Sequence, residues 1–230
     1  MNRTGRIILG LVAAIAVLAV VILAYVYISG GSGEASREVE SESVSAASSA
    51  TVFEIMQDES EVRFILDEDL RGVRTTVTGR TNEVAGQIAV DFAAPANTEL
   101  GEISINVRTL TTDNEFRNRA IRGQILLSQQ DEFEFATFTP TSVEGLPESV
   151  TMGEAFSFTI NGDLTVKGIT KPATFTATVT PESEARISGT ASAVVLRADY
   201  ELNIPSVPGV ANVEEEVQLE IDFVAAAVAG

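Results

Sequence analysis

Apolar residues recur at every second position through most of this chain, and that spacing restricts its fold more than any other feature. Val62, Phe64 and Leu66 alternate with Arg63 and Ile65. Val84, Gly86, Ile88, Val90 and Phe92 form a longer stripe. Ile103, Ile105 and Val107 oppose Glu102, Ser104 and Asn106. Phe156-Phe158-Ile160, Phe175-Ala177-Val179 and Val194-Leu196 follow, and Val217-Leu219-Ile221-Phe223 closes the series with Gln218, Glu220 and Asp222 on its other face. Period two is the mark of a β-strand with one buried face. Turn signals separate the runs at Ala94 to Asn97, Gly145 to Pro147, Asn161 to Asp163, Thr180-Pro181 and Pro205 to Gly209. About eight or nine strands in series predict an all-β sandwich or closed barrel. Runs as long as 84–92 and 217–224 favour the barrel. Eight closed strands leave an interior that side chains fill, or that holds one small ligand.

Residues 110–127 lack the alternation. Thr112 or Asp113 is placed to cap a short helix that Gly123 would end. Asp113 with Arg117, and Glu115 with Arg119, are acid-first pairs four residues apart.

The N-terminus obeys a different rule. Ile7 to Ile28 contains no charged residue, and at about 1.5 Å per residue it is long enough to cross a bilayer core as a helix. Arg3 and Arg6 precede it and no Lys or Arg follows until Arg37, so the positive-inside rule keeps residues 1–6 in the cytoplasm and exports the rest. A cleaved signal peptide is the rival reading. Its apolar region would be shorter, and Tyr25-Val26-Tyr27-Ile28 is a poor cleavage site. Residues 29–50, rich in Ser, Gly and Glu, predict a flexible linker. The expected organisation is residues 1–6 cytoplasmic, 7–28 transmembrane helix, 29–50 linker and 51–230 barrel domain.

Composition narrows the chemistry. The chain has no His and no Cys, which removes Ser-His-Asp triads, Cys-His dyads, HExxH zinc sites and disulfides. Removing the arginines and glutamates before residue 51 leaves the domain 12 Lys+Arg against 29 Asp+Glu. Charge of this sign repels phosphate backbones and argues against nucleic acid. The acidic runs Asp67-Glu68-Asp69, Asp131-Glu132-Glu134 and Glu214-Glu215-Glu216 lack calcium-loop spacing and read as solubilising loops. No metal, cofactor or catalytic residue is expected.

Several segments together resemble the YceI-like, polyisoprenoid-binding proteins of the bacterial periplasm. Asn161-Gly-Asp-Leu-Thr-Val-Lys-Gly-Ile-Thr-Lys-Pro172 is similar to the family's G-x-L-T-I/V-H/K-G-V/I-T-K-P signature. Thr112-Asp113-Asn114-Glu115-Phe116-Arg117-Asn118-Arg119 resembles T-x-N-x-x-R-D/N-x, and Phe133-Glu-Phe-Ala-Thr-Phe138 resembles a Y-P-x-A-T-F strand. Arg197-Ala-Asp-Tyr200 resembles an R-x-D-F/Y strand, and Val217 to Phe223 the last strand. The usual Arg-Asp pair reads Arg117-Asn118 here, and Lys167 stands where His is common. The resemblance implies an extended, lipocalin-like antiparallel barrel of eight strands. It also implies an apolar tunnel for an isoprenoid lipid such as a polyprenyl phosphate or quinone, and, as family members are often dimeric, a homodimer.

The inward stripes put Phe64, Phe92, Ile105, Phe138, Phe158 and Phe175 either in a plain core or on a tunnel wall. Arg117, Arg119 and Lys167 are the head-group candidates, because an Arg fork suits a phosphate oxygen. The expected function is a membrane-tethered, extracytoplasmic, non-catalytic isoprenoid-binding protein, or a secreted or periplasmic one after signal cleavage. Two alternatives stay open: a carboxylate hydrolase, needing two acids about 5–10 Å apart in a cleft, and a structural or interaction module whose barrel is filled.

Overall fold

A computed structural model describes residues 3–45 and 49–228, with side chains from Leu11 onward. The side chains of Arg3 and Arg6, on which the topology expectation rests, lie outside the described residues, as do linker residues 46–48. The strands are β1 (Thr51–Ile55), β2 (Glu61–Leu70), β3 (Val73–Thr81), β4 (Val84–Ala85), β5 (Gln87–Val90), β6 (Glu99–Leu100), β7 (Ile103–Asn106), β8 (Phe135–Glu144), β9 (Phe156–Val166), β10 (Ile169–Ser183), β11 (Arg186–Leu196), β12 (Val210–Ala211) and β13 (Glu216–Ala227). All belong to one antiparallel sheet.

That sheet curls into a barrel. β7 to β11 pair in sequence order and β11 pairs β13. β13 then pairs both β2, through Ile221↔Val62, and β1, through Ala225↔Ile55. The chain from β3 to β5 completes the circuit, because β3 pairs β2, β4 pairs β7 and β5 pairs β1. Counting β1–β2 and β3–β5 as two interrupted staves beside β7, β8, β9, β10, β11 and β13 gives the eight expected. On the outer face Arg63 lies opposite Glu220 and reaches Glu61 at 3.0 Å, Glu220 at 2.9 Å and Asp222 at 2.6 Å. Such cross-strand charge pairs suit a solvated sheet face.

The expected stripe over 84–92 is interrupted. A side chain at Gly86 would run into Ile103, and the strand ends at Val90, leaving Phe92 in a turn. Arg197-Ala-Asp-Tyr200 is not a strand. It forms a 3-10 turn, because Arg197 and Tyr200 are both buried and their spacing of three fits that repeat. Arg197 fixes the turn by donating to the carbonyls of Leu202 and Glu214.

The irregular segment holds a helix, α2 (Glu115–Ala120). Its cap is neither Thr112 nor Asp113. Asn114 accepts from the Phe116 and Arg117 amides, while the Thr112 amide and hydroxyl turn back to Asn118. Gly123 does not end the helix. The chain continues through a π turn over Ile121–Ile125, where Gly123 faces the backbone of Ser29.

The N-terminal helix α1 (Arg3–Ser29) is the longest described, and its Leu11–Ser29 stretch is apolar enough to cross a membrane, with mean hydropathy 2.9. Its C-terminal end lies against α2 and the π turn. Described residues of the segment that follows α1 contact the barrel. Val39 is buried, Arg37 covers the Phe135 ring at 4.7 Å and the Val44 amide donates to Gln87 at 3.2 Å. Its glycines serve close approach, since a side chain at Gly30 would strike Arg119 and one at Gly31 would strike Gln129.

Lys167 and Gly168 connect β9 to β10 as a two-residue hairpin loop, with φ of 51° and 72°. This is the type I′ turn that matches strand twist. Gly168→Ala should cost about 1–2 kcal/mol, the usual penalty of a left-handed non-glycine residue, whereas Lys167→Asn should be neutral or stabilising. Urea unfolding of both variants checks this.

Candidate functional site

The barrel encloses a cavity of about 450 Å³. Phe64, Phe92, Ile105, Phe138, Phe158 and Phe175 all line it. Phe138 meets Phe175 edge-on at 4.8 Å, a favoured aromatic geometry. Phe64, Phe92, Phe158 and Phe175 are only half-buried although they face inward, so the stripes converge without filling the space between them. A cavity of this size and lining corresponds to a site for an apolar small molecule, and its presence departs from the filled-barrel alternative.

The head-group candidates part company. Arg117 lines the cavity, with its guanidinium held by Glu68 at 2.8 Å and Asp113 at 2.6 Å. Arg119 points away. Its guanidinium stacks 3.8 Å from the centre of the Tyr27 ring and donates to the carbonyls of Tyr27 and Gly31, each at 2.8 Å. Lys167 also lies off the cavity wall and donates to the Glu201 carbonyl at 2.7 Å. Of the two acidic residues that border the cavity, Glu68 is paired with Arg117, and the Glu220 carboxylate is held by Arg63 on the outer face.

Other lining residues escaped the sequence reading. Asn114, Phe116, Ala120, Ile121 and Ile125 bring α2 and its π turn against the cavity. Phe116 and Ala120, four apart, are the helical spacing that signals this face. Leu202, Ile204, Val207, Val210 and Val213 contribute from a segment legible only as turns. Tyr200 also lines the wall, and burial, with the nearby Asp199 charge, pushes its phenol up to about 12, so it stays a neutral donor at any working pH.

A buried polar cluster fastens the N-terminal segment beside α2. Glu134 is 1% exposed and accepts from the Ser36 amide at 2.8 Å, the Ser36 hydroxyl and the Asn106 side chain at 2.9 Å. Arg108 pairs with it at 3.2 Å and donates to the Ser128 carbonyl at 2.6 Å. Burial raises the Glu134 carboxyl, but these hydrogen bonds and the Arg108 charge outweigh it and hold the group below its ordinary value. A carboxylate with a depressed folded pKa contributes stability in full above its unfolded value and loses it as pH falls through the folded one. Glu134→Gln should therefore cost about 1–3 kcal/mol at pH 7. The gap to the parent should close below about pH 4. Unfolding curves of both proteins across this range check it; a gap independent of pH would contradict the assignment.

Comparison with known proteins agrees with this architecture. The chain is 28% identical over 149 residues to the UPF0312 protein of Shewanella oneidensis, covering 63% of this chain and 73% of that protein. Its fold is similar to a polyisoprenoid binding domain from Saccharophagus degradans, with TM-score 0.59 at 15% identity, covering 77% of this chain and 99% of that one. It is also similar to BcnA of Burkholderia cenocepacia, with TM-score 0.57 at 19% identity, covering 75% and 99%. The YceI protein of Campylobacter jejuni gives TM-score 0.53 at 16% identity, covering 66% and 85%. Residues 53–225 match the YceI-like domain model, so the chain belongs to the YceI-like family.

Proposed function

We propose that this protein binds the hydrocarbon chain of an isoprenoid lipid in its barrel and holds it away from water, without catalysis. The observation that carries this reading is the apolar cavity ringed by half-buried phenylalanines. The Saccharophagus degradans neighbour, described as a polyisoprenoid binding domain, supports the ligand class. Each buried CH₂ is worth about 0.8 kcal/mol, so a few isoprene units supply ample gross affinity. On the α2 side Asn114 and Arg117 reach the wall. Arg117 is the head-group residue of this reading. Its two carboxylate partners must yield for it to meet a phosphate, which favours a weakly charged or uncharged head.

The apolar α1 is read as a retained anchor with the barrel on the extracytoplasmic side. Its length, its mean hydropathy and the absence of Lys or Arg between it and Arg37 support that placement. The protein then acts as a tethered carrier or reservoir, and its ligand comes from the membrane that holds it.

Phe158→Arg and Phe175→Arg each place a charge on the cavity wall. Both variants, purified folded and without detergent, should lose co-purifying lipid that native mass spectrometry detects on the parent. Retention of the same lipid mass by the folded variants would contradict the assignment of these residues.

A further inference from the structure

The end of α1 is held by the barrel in an unusual way. A helix C-terminus carries about half a negative charge and unpaired carbonyls, and basic residues in its last turn normally answer both. α1 has none there. The barrel supplies them from α2 and its π turn. Arg119 donates to Tyr27 and Gly31, and Arg122, 1% exposed, donates to the Gly30 carbonyl at 2.8 Å. Glu115 steadies both guanidinium groups, at 3.1 Å from Arg119 and 3.3 Å from Arg122. Arg119, a head-group candidate by sequence, thus joins Arg122 in a clamp on the helix that precedes the barrel.

Beside the clamp lies a second apolar crevice, between α1 and α2. Val20, Leu23, Ala24, Tyr27 and Ile28 form its helical wall, and Phe116 forms the other. Phe116 is also on the wall of the barrel cavity. It is the one residue shared by the two linings. This half-buried residue therefore borders both the apolar helix and the site.

We propose that Phe116 is the portal through which a single hydrocarbon chain passes between the outer membrane leaflet and the barrel, along the α1 face of Leu23, Ala24 and Tyr27. The inference rests on the carrier reading and on α1 staying in the bilayer. Three features support the occupant. The crevice is almost entirely apolar, so a lipid tail crosses it in contact with hydrocarbon. The clamp keeps the opening at the end of α1. The polar wall residues Asn114 and Arg117 adjoin Phe116 in sequence, so a head group would lodge near the opening while the tail runs inward.

The chain has no cysteine, so an introduced one is labelled alone. The test uses the full chain in phosphatidylcholine vesicles doped with benzophenone-labelled geranylgeraniol. Loading is followed as ultraviolet crosslinks on β9 and β10 peptides against time. Unlabelled Leu23→Cys is the reference for its own adduct. The same variant carrying pyrene-maleimide, and Arg119→Ala, should each load about tenfold more slowly. All should reach parent occupancy when the probe is offered in detergent micelles, which bypass the bilayer route. Loading from vesicles by the pyrene adduct at the rate of unlabelled Leu23→Cys, or by Arg119→Ala at the parent rate, would overturn the portal. Failure of the parent itself to load from micelles would instead overturn the carrier reading, and the portal with it.

Discussion

The segment from Val73 to Val90 pairs with β2, then β7, then β1, and this seam turns a curled sheet into a barrel. Without it β7 would be an open edge, and unpaired edge strands invite aggregation. With it, every inward stripe faces every other across a closed interior. At Gly86, between β4 and β5, the chain passes close to Ile103, whose side-chain end would have to shift for a larger residue. The stripe that alternation alone extends to Phe92 ends at Val90, where the chain enters a turn.

A closed barrel of eight staves has a nearly fixed diameter, so side-chain size decides whether it is solid or hollow. Here large rings sit round the wall, yet six of the described phenylalanines there remain half-buried, and about 450 Å³ is left between them. Glycine contributes to that arrangement, since Gly162 leaves room for the Phe138 ring to lie against the backbone. Hollowness is thus a property of placement rather than of composition.

This explains what was legible beforehand. Period two identified the strands and their inward residues, and all six stripe residues named from it meet at one cavity. It did not distinguish core from tunnel, because the two share a pattern and differ only in how rings from distant strands meet. The Arg197–Tyr200 turn was misread because a spacing of three inside a four-residue motif is too short to stand out. Arg119 and Arg122 have the chemistry of a phosphate site, and only the fold reveals the carbonyls they hold instead. The Ser-Gly stretch after α1 has the composition of a flexible linker. Its glycines serve close contact, a purpose invisible without the partner surface.

The central claim is that the interior binds by burying hydrocarbon, which makes affinity a function of chain length. The most direct measurement is equilibrium titration of the protein with isoprenoid alcohols of increasing length. At about 0.8 kcal/mol per buried carbon as an upper bound, each added five-carbon isoprene unit contributes at most about 4 kcal/mol and should tighten binding markedly, by up to about a thousandfold. The gain should level off once the cavity is full. Affinity that is flat across the series, from the shortest alcohol upward, would mean that the cavity does not receive the chain and would contradict the account.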